Sequence, residues 1–182
     1  MAKAIGMLEY TTVSTGIEAT DMMVKTSEVE LIEAQVVCPG KYISLICGDL
    51  SAVKAALDAA KSKFGEKLID SFLLGNPHEG IFPAIYGSAE VENPAALGVL
   101  ETYSAASIIV AADVAAKTSE VTLIELRIAR GMCGKSYMTL TGDVAAVTAA
   151  VEKAKAEVGK NGMLLDCSVI ARPSEKLWKT IL

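Results

Sequence analysis

One histidine, His78, stands in the whole chain, and no Ser/His/Asp or Cys/His constellation can be assembled around it. Hydrolytic catalysis therefore has little support. Aromatic residues make up only 5% of the sequence, so any core must be built from Ala, Val, Ile, Leu and Met. No unbroken apolar run of about 18 residues occurs, and no membrane span is expected. Lys/Arg runs and basic-aromatic stripes are also missing. With a formal net charge of −5 and a pI near 5.0, nucleic acid is not an expected partner. The four cysteines, Cys38, Cys47, Cys133 and Cys167, form no CxxC and no zinc-type pair. Glu9 and Glu101 supply one carboxylate to each of two strand patterns, with no second acid placed for proton transfer. The opening Met1-Ala2-Lys3-Ala4-Ile5-Gly6 lacks a signal-peptide pattern, so a cytosolic protein with free thiols is expected.

What is present is unusually apolar. Hydrophobic residues reach 52% and charged residues only 21%, with a mean hydropathy of +0.40. A chain of this size with so little charge is expected to bury more than its own core, in oligomer interfaces.

The chain is also an internal repeat. Ala4-Ile5-Gly6-Met7-Leu8-Glu9 matches Ala96-Leu97-Gly98-Val99-Leu100-Glu101. Lys25-Thr26-Ser27-Glu28-Val29 recurs unchanged as Lys117-Thr118-Ser119-Glu120-Val121, and Asp21 matches Asp113. The offset is 92 residues from Lys25 to Lys117, 94 from Gly40 to Gly134, and 96 from Asn76 to Arg172. The second copy is thus longer where Cys38 sits in the first. The segment Gly87-Ser88-Ala89-Glu90-Val91-Glu92-Asn93-Pro94 reads as a linker, giving domains 1–90 and 91–182.

Within the first copy, residues 4–10 read as a strand and 16–27 as a helix. Residues 29–37 and 41–47 read as strands, the second buried on both faces. Asp49 is placed to cap the next helix. Leu50, Val53, Leu57, Ala60 and Phe64 share one face of it, as Val144, Val147, Val151, Ala154 and Val158 do in the second copy. Residues 67–74 read as a fourth strand, and a short helix follows from His78. Each copy is then β-α-β-β-α-β: an α+β layer of four antiparallel strands and two helices, ferredoxin-like. Cys47 and Cys167 lie in apolar strand patterns and read as small buried hydrophobes. Cys38, at the tip of Val36-Val37-Cys38-Pro39-Gly40-Lys41, reads either as a free surface thiol or as a ligand.

The spaced positions shared by both copies resemble the bacterial microcompartment (BMC) shell domain. They are the Ala-Ile-Gly-Met-Leu-Glu strand, Asp21-x-x-x-Lys25, the Gly-Lys turn, Gly48-Asp49 and the closing Arg172-Pro173. The likeness covers essentially the whole chain, twice, as in the tandem-domain shell proteins. Val-Cys-Pro-Gly-Lys resembles the iron–sulfur type of the propanediol-utilisation compartment. That resemblance implies a structural, non-enzymatic protein of a cytoplasmic microcompartment shell. It implies a homotrimer forming a pseudohexameric tile among other BMC shell proteins, with an encapsulated redox enzyme as a further partner. The loops between the second and third strands of each copy would line the central pore, with Pro39, Gly40, Lys41, Arg130, Gly131, Met132, Cys133 and Gly134 around it. Cys38 of three chains would hold one [4Fe-4S] cluster for electron transfer. Gly40 would let backbone amides approach the cluster sulfurs. Cys133 would either form a second thiol ring or turn inward. Lys25, Lys117 and Arg172 resemble residues at tile-to-tile edges. Two other readings stay open: a metabolite-conducting tile without a cluster, and a duplicated ferredoxin-like module binding an effector.

Overall fold

The computed structural model describes residues 4–182; the leading Met1-Ala2-Lys3 of the sequence reading lies outside them. Eight strands and six α-helices follow one another in two matching series. The first series is β1 (Ala4–Tyr10), α1 (Val13–Thr26), β2 (Glu30–Val37), β3 (Lys41–Gly48), α2 (Leu50–Phe64), β4 (Leu68–Gly75) and α3 (Ile81–Tyr86). The second is β5 (Ala96–Thr102), α4 (Ala105–Thr118), β6 (Thr122–Arg127), β7 (Ser136–Gly142), α5 (Val144–Gly159), β8 (Leu164–Ile170) and α6 (Glu175–Ile181). The sheets have orders β2-β3-β1-β4 and β6-β7-β5-β8, antiparallel throughout. This is the ferredoxin-like order the repeat implied, made twice. No helix among the described residues is long and apolar enough to cross a membrane.

Contacts divide the chain into two compact units. The first holds residues 4–77 with Ser104–Ala106 and Ala129–Gly134; the second holds the remainder of the chain from His78. Short pieces that follow β5 and β6 in sequence thus belong to the first unit. In the second unit, α3 lies against β6.

β1 is buried along its whole length, and the core of the first unit forms where one face of the strand meets the apolar stripes of the helices. Ala4, Leu8 and Tyr10 meet Ala19 and Met23 of α1 and Val53, Ala56, Leu57 and Ala60 of α2. Leu50 and Val144, expected to begin the apolar stripes, stay about half exposed, at 49% and 46%. Both sit in the first turn of their helices, and Leu50 reaches only the end of β4, its Cδ1 3.7 Å from where a Cβ on Gly75 would stand. Asp49 and Asp143 occupy the N-cap positions, yet neither side chain makes a cap hydrogen bond. Helix α1 starts at Val13, earlier than the sequence pattern placed it, because Thr12 is extended and Gly16 already donates to the Thr12 carbonyl. Cys47 is buried as expected, but Cys167 is only half-buried. The latter lies on β8, an edge strand whose outer positions face solvent.

Close packing of helix on sheet depends on Gly16. A Cβ there would lie 2.4 Å from the Cβ and Cδ1 of Tyr42. A Cβ at Gly98 would meet only side-chain methyls, Leu140 Cδ1 at 2.8 Å and Val147 Cγ1 at 2.9 Å. Gly16→Ala is therefore expected to lose about 1–3 kcal/mol, the usual cost of overpacking, and Gly98→Ala less. Urea unfolding of the two variants checks the order.

Candidate functional site

The Cys38 loop is three residues long, between the last residue of β2 and the first of β3. Val37 is its buried anchor, whereas Val36 before it is 56% exposed. The Gly40 N–H donates to the Val37 carbonyl at 2.9 Å and closes the turn. Gly40 takes φ +109°, a conformation few other residues adopt. The Cys38–Pro39 peptide bond is cis. Cys38 is half-buried, with Pro39 and Gly40 exposed beyond it. The Gly40 amide is committed to the turn, so the amide approach expected at that residue is not offered by its own N–H.

The corresponding loop of the second copy runs from Ile128 to Lys135 and bends repeatedly. Ala129, Gly131, Cys133 and Gly134 all have positive φ, at 60°, 70°, 51° and 86°. Its residues Ala129–Gly134 belong to the first unit, beside the Cys38 loop. An open hollow of about 430 Å³ is lined there by Gln35 to Gly40 together with Arg130 and Gly131. Arg130 donates from Nη2 to Glu33 Oε1 at 2.8 Å. Glu33 is 8% exposed and Arg130 53%, so the guanidinium at this rim is already matched by a sheltered carboxylate. Cys133 is exposed and does not turn inward; Met132 beside it is half-buried.

Beneath the loops lies an arrangement the sequence reading missed. Glu9, completely buried in β1, accepts from Lys41 Nζ at 2.9 Å. It also accepts from the Ala105 N–H at 2.9 Å and the Ala106 N–H at 3.4 Å, the first residues of α4. The carboxylate thus caps a helix N-terminus, where the free amides and the helix dipole favour a negative charge. Lys41 Nζ reaches the Gly134 carbonyl as well, at 3.3 Å. Lys41 is therefore a tie between the two loops rather than an open cation at their rim. Burial pushes the Glu9 carboxyl above its ordinary range, and Lys41 with the two amides pulls it back in part. Asp70, directly opposite Glu9 across β1 and β4, accepts from the Ser104 hydroxyl. One signal in the sequence pointed here: an acidic residue repeated near the end of both apolar strands, with a repeated lysine after each Gly turn.

The remaining candidates are spread over the surface. Lys25 pairs with Asp21 at 2.7 Å, both exposed. Lys117 pairs with Asp113 at 2.7 Å, and the buried Asp113 also accepts from the His78 N–H at 2.8 Å. Arg172 is exposed after β8, and Asn76, its counterpart, is exposed after β4. The His78 ring accepts from the Gly80 N–H at 3.1 Å through Nδ1 and so fixes a turn. Among the described residues, no group of three or more His, Cys, Asp or Glu side chains is placed to hold a metal ion. A single chain brings one thiol to the Cys38 hollow.

Four-stranded antiparallel sheets with their helices, made once by each half of an internal repeat, are the architecture of a tandem-domain protein. The BMC-domain family model matches residues 4–77 and 96–173, and the chain belongs to that family. Over all 182 residues it is 42% identical to the bacterial microcompartment shell protein PduT of Citrobacter freundii, covering 99% of that protein. It is 35% identical over 88 residues to the carboxysome shell protein CsoS1 of Prochlorococcus marinus, spanning 47% of this chain and 85% of that one. A crystal structure of a microcompartment protein from Desulfitobacterium hafniense superposes with a TM-score of 0.86 at 45% identity. The match covers 98% of this chain and 99% of that one. The chain is accordingly a tandem BMC-domain structural shell protein of a microcompartment, and the reading as a duplicated effector-binding module is set aside.

Proposed function

We propose that this protein is a trimeric, pseudohexameric shell tile that holds one [4Fe-4S] cluster at its centre and passes electrons across the shell. The division into domains near residue 90 is part of this reading, as are Lys25, Lys117 and Arg172 at the tile edges. The observation that carries the proposal is the Cys38 loop itself. Its half-buried thiol lines an open hollow, and the tip beyond it is free of side-chain bulk: a Cβ on Gly40 would meet nothing within 4 Å. One thiolate is a poor iron site, but three related by a threefold axis make three-quarters of a cubane ligand set. When bound, the cluster would supply one-electron chemistry.

The chain's own residues set the terms of that site. Val37 anchors the loop, the Gly40–Val37 hydrogen bond holds its shape, and the Glu33–Arg130 pair neutralises the neighbouring rim. The support from relatives is the full-length likeness to a protein whose name is that of a shell component. No catalytic step is assigned to the tile. Other BMC shell proteins are its lateral partners, and an encapsulated redox enzyme its electron partner.

The test is anaerobic purification of the wild type with iron and sulfide analysis and native mass measurement. A trimer carrying four irons is expected. An iron-free trimer would leave a metabolite-conducting tile, and a chain that never assembles would remove the pore altogether.

A further inference from the structure

Several contacts inside the first unit join residues whose counterparts in the repeat do not make the equivalent contact: Thr12, the counterpart of Ser104, bonds Thr15 instead, and Asp166 accepts only from the next residue's N–H. Glu9 caps α4 at Ala105 and Ala106; the matching residues are Glu101 and, on α1, Val13 and Ser14. Helix α1 has no side-chain cap and no acidic residue in its first turn. Glu101 is half-buried and makes no hydrogen bond or ion pair among the described residues. Asp70 uses one oxygen for the Ser71 N–H and the other for Ser104. Asp166 uses one oxygen for the Cys167 N–H, and its counterpart of Ser104 is Thr12. Lys41 reaches the Gly134 carbonyl; the matching pair is Lys135, which is exposed, and Gly40.

Burial tells the same story. Ile109 on α4 is fully buried, while Ile17, its equivalent on α1, is 54% exposed. Ala116 is 9% exposed and its equivalent Val24 40%. In the second unit, α3 buries Ile81 and lies against β6, where Leu123 is 3% exposed. Its equivalent α6 buries nothing, and Leu31, the equivalent of Leu123, is 45% exposed.

From these we infer that Glu101, Lys135 and Asp166 form a capping socket for the N-terminus of α1 from a second copy of this chain. The joint is head-to-tail: each chain presents the socket with β5, β7 and β8 and the plug with Thr12, Val13 and Ser14. Such a heterologous contact closes into a ring when its rotation permits. Within the joint, Glu101 satisfies the free amides of α1, Lys135 balances its charge and reaches Gly40 in the neighbouring Cys38 loop, and Ile17 and Val24 are covered. The socket therefore also sets the position of the Cys38 loop in the assembled tile. This inference rests on the assembly part of the proposed function and is independent of the cluster.

The experiment is sedimentation and native mass measurement over a dilution series of the full chain. The set comprises wild type, Glu101→Gln, Lys135→Met, the double variant, Ile17→Asp, and Glu157→Gln as a surface control. Circular dichroism accompanies each. Expected are native dichroism throughout, wild-type assembly for the control, and an assembly midpoint raised at least tenfold by Lys135→Met and by Glu101→Gln. Ile17→Asp is expected to abolish assembly. The double variant should fall short of the sum of its singles, because it leaves no buried carboxylate without its lysine. If wild type assembles and Glu101→Gln, Lys135→Met and Ile17→Asp all assemble at its concentration, the socket is wrong and the tile stands. If wild type itself stays monomeric at every concentration, the tile reading fails and the socket with it.

Discussion

Lys41→Met is expected to lower the unfolding free energy by about 3–5 kcal/mol at neutral pH, the usual cost of leaving one member of a buried ion pair alone. Glu9 is wholly buried and Lys41 16% exposed, so solvent cannot take over the lost lysine. The two α4 amides remain, but they do not cancel a full charge. Glu9→Gln should cost far less, because it removes the charge whose burial is the expense. The double variant, Glu9→Gln with Lys41→Met, should recover most of the loss. The pH dependence has a definite sign. Burial raises the Glu9 carboxyl in the folded protein above its ordinary value of 4.5, so the folded state holds its proton to higher pH than the unfolded state does. Stability contributed at this group is therefore present below the unfolded value and lost as pH rises through the folded one. Lys41→Met removes a lowering influence and widens that window upward. Its deficit should shrink as the pH is taken down toward 4.5. Urea unfolding of the three variants across that range is the measurement. A Lys41→Met deficit that is flat with pH would mean that the charge on Glu9 is not the cause.

Cys38→Ser is expected to remove the iron of anaerobically purified protein completely, together with its visible absorbance, while leaving trimer mass and dichroism unchanged. The completeness follows from symmetry. In the proposed trimer one substitution in the sequence would delete all three protein thiolates of the site, and a serine hydroxyl is a poor replacement for a thiolate at iron. Cys133→Ser is the matched control. Cys133 is exposed in the other loop and does not line the Cys38 hollow, so this variant should retain its iron. Full iron in Cys38→Ser would sink the ligand assignment, and equal loss in both variants would place both thiols at the site.

The repeat made the fold readable because each copy pairs strong strand and helix periodicities with the same turns. Gly40-Lys41 and Gly134-Lys135 marked the β2–β3 and β6–β7 loops, and both sheets carry the order the pattern implied. The ends of the helices were less readable. Leu50 and Val144 have the right spacing for the core, yet in the first turn of each helix they stay about half exposed. Cys167 has the neighbours of a buried residue, but only the sheet order reveals that β8 is an edge.

The sequence by itself determined a duplicated α+β chain, a thiol at the tip of one tight turn, and a longer loop at the equivalent place. These are local properties, set by side-chain period and by the residues a turn will accept. Only the tertiary structure decided that Glu9, a lone acid in an apolar strand, meets Lys41 and the amides of Ala105 and Ala106. It also decided that Lys41 and Arg130 are matched by carboxylates instead of standing open at the loop rim. Such pairings join residues 32 to 97 positions apart. No local pattern encodes them, because the energy of a charge depends on what surrounds it after folding rather than on its neighbours along the chain.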